Sequence, residues 1–149
     1  MRTWIGGLAL LALAACSAAG GVPRPRDVQA GADACEYCHM QVDDVSMAAQ
    51  FVEAAGRVRM FDEPGCLVAW MADHPETVGA GFVADAAGGG WVPAEQAAWV
   101  RRGAKTGMGF DLVTFRDATA AEARARVAGG TVVSWQAVVR EGVGHAHAH

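Results

Sequence analysis

The sequence predicts an α+β fold built from two small ββαβ modules in tandem. Apolar residues recur at every second position from Val45 to Phe51, which is the pattern of a half-buried strand. Farther along the chain, Leu67, Val68 and Met71 recur at the spacing of a helix. The order strand, strand, helix, strand occurs in each half of the chain. Each half is therefore expected to form an antiparallel sheet with a helix on one side.

The first module is expected over about residues 41–87. Its elements follow from alternation and helical spacing: strands at 45–52 and 57–60, a helix at 64–74 and a strand at 77–86. Asp62 can cap the helix and Pro64 occupies its first turn. The helix is expected to end at His74, because the residue before a proline disfavours helical backbone.

The second module is expected over about residues 91–141, after the glycine run at 88–90. Its predicted elements are strands at 97–101 and 108–115, a helix that Asp117 or Thr119 caps and that runs through Val127, and a strand at 131–139. Gly129-Gly130 stops the helix. Phe61-Asp62 before the first helix is echoed by Phe115-Arg116-Asp117 before the second, which favours a duplication.

The first 15 residues have the features of a signal peptide, with a basic Arg2 and an uncharged stretch from Trp4 to Ala15. That stretch is shorter than the roughly 20 residues that span a bilayer. Small residues before Cys16 indicate a lipobox, in which this cysteine is diacylated and begins the mature chain; an ordinary secretory signal is the alternative. The protein is then expected to be lipid-anchored in a bacterial envelope membrane, the outer one, facing the periplasm.

The predicted metal-binding domain covers residues 34–141 and has a less patterned segment on either side. Residues 16–33 are rich in Ala, Gly, Pro and Arg and are predicted to form a flexible tether. Residues 142–149 form a tail with alternating histidines, His145, His147 and His149. Imidazoles at that spacing can chelate divalent copper or zinc weakly, whereas the simpler interpretation is a solvated tail.

Composition excludes two broad function classes. Twelve basic residues stand against 16 acidic ones, giving a formal charge of −4, whereas a nucleic-acid binder needs a basic face. The sequence also lacks a Ser-His-Asp grouping, a phosphate-binding loop or paired carboxylates with a catalytic role, so we expect a binding protein and not an enzyme.

The chemistry of the chain is concentrated in Cys35-Glu36-Tyr37-Cys38-His39-Met40, which holds two thiols, an imidazole and a thioether. One interpretation is a local disulfide between the two cysteines, with Met40 in the core. A second is a zinc site completed by Cys66 or His74, although a second closely spaced Cys/His pair is missing.

A third interpretation is covalent haem, because Cys35-x-x-Cys38-His39 is the attachment pattern of c-type cytochromes. His39 would then be the proximal ligand and Met108 a distal one, in a small electron-transfer lipoprotein. The strand-rich pattern of the chain argues against this alternative, since a c-type haem domain is usually helical around its cofactor.

The fourth interpretation is a site for monovalent copper, the soft ion that thiolate and thioether ligands favour. In an extended segment Cys38 and Met40 would face the same way and reach one ion together. Met108 is the best remote partner, because Gly107 and Gly109 expose its side chain.

The hexapeptide resembles the C-x-Y-C-x-M signature of NosL, a family of copper-binding lipoproteins that assist the maturation of nitrous oxide reductase in denitrification. The resemblance covers nearly the whole mature domain and continues through Phe61-Asp62-Glu63-Pro64-Gly65-Cys66, Trp91-Val92, Ala97 to Val100, Thr106-Gly107-Met108-Gly109-Phe110 and Gly129-Gly130. His39 stands at a position that varies in the signature. The family fold is two ββαβ modules similar to those of organomercurial lyase.

The resemblance implies a metallochaperone whose cargo is Cu(I). The implied ligands are Cys38, Met40 and Met108, with Cys35 as a fourth ligand or as the disulfide partner of Cys38; His39 and Cys66 are weaker candidates. It also implies that the partners are an ABC-type transporter assembly and nitrous oxide reductase as the final acceptor, in addition to membrane lipid through Cys16.

Overall fold

The computed structural model describes residues 23–143, which form seven strands, three α-helices and one 3-10 helix. The strands are β1 (Ala49–Glu53), β2 (Val58–Phe61), β3 (Gly79–Ala84), β4 (Trp91–Pro93), β5 (Ala98–Arg101), β6 (Leu112–Phe115) and β7 (Thr131–Val133). The helices are the 3-10 helix Val45–Met47, α1 (Pro64–Asp73), α2 (Ala118–Ala128) and α3 (Trp135–Glu141). The predicted signal peptide, Cys16 and the three tail histidines lie outside the described residues.

The strands form two antiparallel sheets with the same internal order. One sheet is ordered β2-β1-β3-β4 and the other β6-β5-β7, so the first strand of each unit lies between the second and the third. Helix α1 connects β2 to β3, and α2 connects β6 to β7. The predicted α+β fold with two ββαβ modules is confirmed.

Within the described part of the predicted tether, residues 26–33 are docked on the first sheet, contrary to the prediction. Gln50 in β1 is fully buried, and its amide bonds both the backbone N–H of Arg26 at 3.0 Å and the carbonyl of Arg26. Arg26 in turn pairs with Asp33 at 2.6 Å. Because a buried amide must find partners, Gln50 fixes residues around 26 against the sheet.

Helical segments replace part of two predicted strands, because capping bonds take the place of the sheet ladder there. The strand predicted at 45–52 begins with the 3-10 helix, where the Asp44 side chain accepts the N–H of Ser46 at 2.9 Å. The strand predicted at 131–139 ends at Val133, and Ser134 caps α3 by accepting the N–H of Ala137 at 3.2 Å. Val138 and Val143 are buried, so the folded domain continues to the last described residue.

Strand β4 follows the glycine run and extends the first sheet, with Val83 opposite Val92. The prediction placed these residues in the second module without a strand. Pro93 ends β4 at the open edge of the sheet, where its missing N–H disturbs no ladder.

Residues of both modules share one apolar core. Phe61 and Leu67 from the first module and Trp99 and Leu112 from the second belong to the same buried cluster. The indole of Trp99 is fully buried and donates its N–H to the carbonyl of Ala94 at 2.8 Å. The shared core places the start of α1 beside the second module. Between residues 23 and 143, no helix has both the length and the hydrophobicity needed to cross a membrane.

Candidate metal site

The hexapeptide from Cys35 to Met40, called the cysteine loop below, is a tight loop and not the extended segment that was predicted. The N–H of Cys35 donates to the carbonyl of Met40 at 2.7 Å, and the N–H of His39 donates to the carbonyl of Cys35 at 3.0 Å. His39 has a positive φ of 65°, and an isolated bridge joins Ala34 to Gln41 across the loop mouth. The loop buries Cys35 and leaves Met40 42% exposed.

Charged side chains fasten the cysteine loop to β2. The N–H of Glu36 donates to the carbonyl of Met60 at 2.7 Å, and the Glu36 carboxylate pairs with Arg59. Arg59 also pairs with Glu53 at 2.6 Å, and its guanidinium lies 4.9 Å from the centre of the Trp70 ring. The cysteine loop is thus held on β2 by a partly buried network of ion pairs.

Three thiols and one carboxylate converge at the cysteine loop. The Sγ atoms of Cys35, Cys38 and Cys66 and a carboxylate oxygen of Asp62 all lie within 4.8 Å of one another. The Cys38 thiol donates to Oδ1 of Asp62 at 3.4 Å, and all three thiols are free. We call these four residues the thiol cluster. Among residues 23–143 it is the one grouping of three or more Cys, His, Asp or Glu with the spacing of a metal site.

The thiol cluster is arranged to hold one thiolate near neutral pH. A hydrogen bond from the Cys66 thiol stabilises the Cys35 thiolate, and the backbone N–H of Cys38 also points at Cys35 Sγ at 3.5 Å, so the pKa of Cys35 falls to about 7. Donating to Cys35 raises the pKa of Cys66, while burial raises the pKa of Cys38 to about 12. A soft cation can displace these remaining protons, as metal binding to thiols generally does.

The segment Thr106–Asp111, called the methionine loop below, is a closed turn, although a strand was predicted from Met108 onward. The Thr106 N–H donates to Oδ1 of Asp111 at 3.0 Å, and the Asp111 N–H donates to Oγ1 of Thr106 at 3.1 Å. Gly109 and Asp111 both have positive φ, which a strand does not allow. Met108 lies inside this loop and is half-buried against the core that contains Cys35 and Cys66.

The methionine loop is seated on the first module by two close contacts. Phe110 covers the backbone of Gly65 in α1 so tightly that a Cβ added there would lie 2.3 Å from Cβ of Phe110. The Cε of Met40 would lie 3.2 Å from a Cβ added to Gly107, so the two methionine-bearing loops touch. Met40 therefore contacts the segment that carries Met108.

Two acidic residues at the start of α1 were not predicted to belong to the site. The sequence assigned Asp62 to helix capping, but the N-cap is Glu63, and Asp62 instead joins the thiol cluster. Glu63 is 3% exposed and does not cap the helix; its Oε1 accepts the N–H of Met108 at 3.0 Å. Burial raises the pKa of the Glu63 carboxyl.

Neither histidine considered for the site enters the thiol cluster. His39 is exposed and stays outside the group of converging ligands. His74 ends α1, where its ring stacks on Trp70 at 4.4 Å and its Nδ1 lies 2.8 Å from the carbonyl of Trp70. A zinc site completed by His74 is therefore wrong, whereas Cys66 does join Cys35 and Cys38.

The arrangement of the cysteines also disfavours covalent haem. Cys35 is 1% exposed and its sulfur packs with Cys66 inside the core. A thioether to a porphyrin would need that sulfur at the protein surface or in a large apolar cavity. The local disulfide between Cys35 and Cys38 is not formed, since both thiols are free.

The fold and the thiol cluster together define a small α+β protein in which three thiols and a carboxylate are close enough to hold a metal ion. The NosL family model matches residues 27–143, and the chain belongs to the NosL family. The structure is similar to the crystal structure of the copper chaperone NosL from Shewanella denitrificans, with a TM-score of 0.64 and 20% identity. That match covers 79% of this chain and 99% of the other. No curated protein matches the sequence significantly.

Proposed function

We propose that this NosL-family protein is a Cu(I) chaperone and not an enzyme. The observation that carries the proposal is the convergence of three free thiols and Asp62 within 4.8 Å. Thiolates are the ligands that favour monovalent copper, and one of them is available near neutral pH. The copper chaperone with a similar fold supports the same cargo.

The proposed ligands are the thiolates of Cys35 and Cys38 with the thioethers of Met40 and Met108. Cys66 supports the site through the hydrogen bond that lowers the pKa of Cys35. A thioether carries no charge and binds more weakly than a thiolate, so a mixed site holds the ion without trapping it. Met40, at 42% exposure, is the ligand that an acceptor would reach first.

Transfer then proceeds by ligand exchange. An incoming sulfur or nitrogen ligand of the acceptor would first displace the exposed thioether of Met40 and afterwards the thiolates. Because the ion is never free during such an exchange, no step releases a bare Cu(I) ion. The methionine loop and the cysteine loop belong to different modules, so loosening their contact at Gly107 opens the site without unfolding either sheet.

The first test is the stoichiometry and the affinity of Cu(I) binding. We expect about one Cu(I) per protein in a competition titration against a chelator under reducing conditions. Met40→Leu and Met108→Leu should each weaken binding by about tenfold, since leucine keeps apolar volume but offers no sulfur. Met47→Leu is the matched control, because Met47 packs against a different core cluster. Equal affinities of all three variants would remove both methionines from the site.

Zinc is the second candidate, and one observation favours it. Asp62 adds an oxygen ligand to three thiols, which gives the four ligands of a tetrahedral zinc site. The methionine variants distinguish the two candidate metals, because zinc does not need a thioether ligand. If the protein binds zinc more tightly than it binds Cu(I), and the methionine variants do not change that affinity, zinc is the cargo. A Soret band in the visible spectrum would instead revive the haem alternative.

We further propose that Cys16 is lipidated and anchors the chain in the outer membrane, facing the periplasm. A tethered chaperone has a raised effective concentration near a membrane partner. The proposed partner is an ABC-type transporter assembly and the proposed final acceptor is nitrous oxide reductase, as the family resemblance implies.

The anchor has its own test. Cys16→Ser should move the protein from the membrane fraction to the soluble periplasmic fraction, or leave it as uncleaved precursor, when fractions are probed by immunoblot. Its Cu(I) affinity should stay as in the wild type, because residue 16 precedes the domain. Mass spectrometry that finds an unmodified N-terminus at another residue would contradict the proposal.

A further inference from the structure

Glu63 occupies an unusual position for a buried acid. It is the N-cap residue of α1, yet its side chain makes no capping bond to the helix. It reaches instead into the second module, where Oε1 accepts the N–H of Met108 at 3.0 Å. The carboxyl therefore bonds the methionine loop at the backbone of Met108.

This arrangement carries a cost that simple helix capping would avoid. Glu63 is 3% exposed, and its Oε2 is buried without a hydrogen-bond partner. Burying a polar atom that lacks a hydrogen-bond partner is unfavourable, because the atom has lost its water and gained nothing in exchange. A serine or threonine here would cap the helix without that cost but would be too short to reach the methionine loop. The length and burial of Glu63 are explained by its contact with Met108.

Glu63 also follows Asp62 directly, which connects the two halves of the proposed copper site. The backbone at Glu63 is extended, with φ −145° and ψ 156°. Successive side chains of extended backbone point in opposite directions. Asp62 accordingly joins the thiol cluster while Glu63 bonds the methionine loop. One dipeptide thus sets the position of the loop relative to the thiols.

We propose that Glu63 is a positioning residue that holds Met108 at the copper site. The proposal rests on the proposed function, in which Met108 is a copper ligand. Glu63 itself does not touch the ion. It acts through the backbone of Met108, and the contact of Phe110 with Gly65 is a second attachment of the loop to the start of α1.

The first experiment uses the metal-free protein and measures exchange of the Met108 amide hydrogen by NMR. Glu63→Ala removes the acceptor, and exchange should become at least about tenfold faster, because the amide loses its partner. Glu63→Gln keeps an oxygen acceptor and should exchange nearly as slowly as the wild type. Glu122→Ala, at an exposed position of α2, is the matched control. Unchanged exchange in Glu63→Ala would overturn the proposal.

The second experiment is a double-mutant cycle on Cu(I) affinity. Glu63→Ala should weaken binding by about tenfold, and Glu63→Gln should restore most of that loss. If Glu63 acts through Met108, the variant with both Glu63→Ala and Met108→Leu should bind no more weakly than Met108→Leu alone. X-ray absorption of the copper-loaded Glu63→Ala protein should show fewer sulfur neighbours than the wild type. Additive losses would mean that Glu63 acts elsewhere and would overturn the proposal.

The proposed copper ligands and the proposed role of Glu63 can be contradicted separately. If Met108→Leu alone leaves the Cu(I) affinity unchanged, the ligand set of the proposed function is wrong, and the positioning role at a copper site falls with it. If Met108→Leu weakens binding while Glu63→Ala changes neither amide exchange nor affinity, the ligand set stands and only the role of Glu63 is wrong.

Discussion

Replacing Cys38 with serine is expected to weaken Cu(I) binding by at least about a hundredfold, or about 2.8 kcal/mol. Serine substitutes a hard, neutral hydroxyl for a soft sulfur that loses its proton on binding. Cys38 is only partly buried, whereas Cys35 and Cys66 are buried, so Cys38 is the thiol that an entering ion meets first. The smaller serine side chain at this partly exposed position should leave the fold intact.

The Cu(I) affinity of Cys38→Ser is to be compared with that of Cys66→Ser. Cys66 is fully buried in the first turn of α1 and stabilises the thiolate of Cys35 by donating a hydrogen bond. We expect its loss to weaken binding less than the loss of Cys38. Affinities are measured by chelator competition under reducing conditions, with circular dichroism to confirm folding. Wild-type affinity in Cys38→Ser, with a loss confined to Cys66→Ser, would place the ion deeper, at the start of α1.

The paired strands and the helix between them could be predicted from local patterns, since alternation and helical spacing are set within a few residues. The strand that was predicted over residues 131–139 shows the limit of local patterns, because α3 begins there at Trp135. Val138 and Val139 favoured a strand by composition, yet Ser134 caps a helix and Trp135 stacks on Trp99 at 5.2 Å. Helical packing of Trp135 and Val138 on one core therefore outweighs the strand preference of valine.

The candidate site was predictable only where its ligands are close in sequence. Cys35, Cys38 and Met40 stand in one short motif, and the flanking glycines single out Met108. Asp62 and Cys66 were harder to assign because the cysteine loop meets them only after the chain has formed β1 and β2. An aspartate with a proline two residues later is also a usual signal of a helix start, and here that signal misled, since Glu63 is the N-cap.

The role of Glu63 could not be predicted from the sequence, for a different reason. Its only sequence signal is an acid beside the apolar Phe61 and Leu67, which is not enough to assign a role. Its partner Met108 is 45 residues away and belongs to the other module. A contact of that separation depends on how the modules pack, which no local pattern encodes.

Gly65→Ala is expected to have the second large effect, a loss of stability, because Phe110 of the methionine loop packs directly on Gly65. Alanine normally stabilises a helix by about 1 kcal/mol relative to glycine. Here the added Cβ would lie 2.3 Å from Cβ of Phe110, and a rotamer change cannot move a Cβ atom away. The backbone of the methionine loop or of α1 must shift instead. We expect a net loss of about 1–3 kcal/mol in the free energy of unfolding, the range typical of overpacked cores.

The same substitution should also weaken Cu(I) binding, because Met108 moves with Phe110. Gly81→Ala is the matched control: a Cβ at Gly81 would meet its nearest atoms at 3.4 Å, so its stability should change little. Urea denaturation gives the free energy of unfolding for both variants, and chelator competition gives the affinity of whatever remains folded. If Gly65→Ala were as stable as Gly81→Ala and bound copper like the wild type, the methionine loop would not be fixed on α1. The geometry of the proposed site would then have to come from the cysteine loop alone.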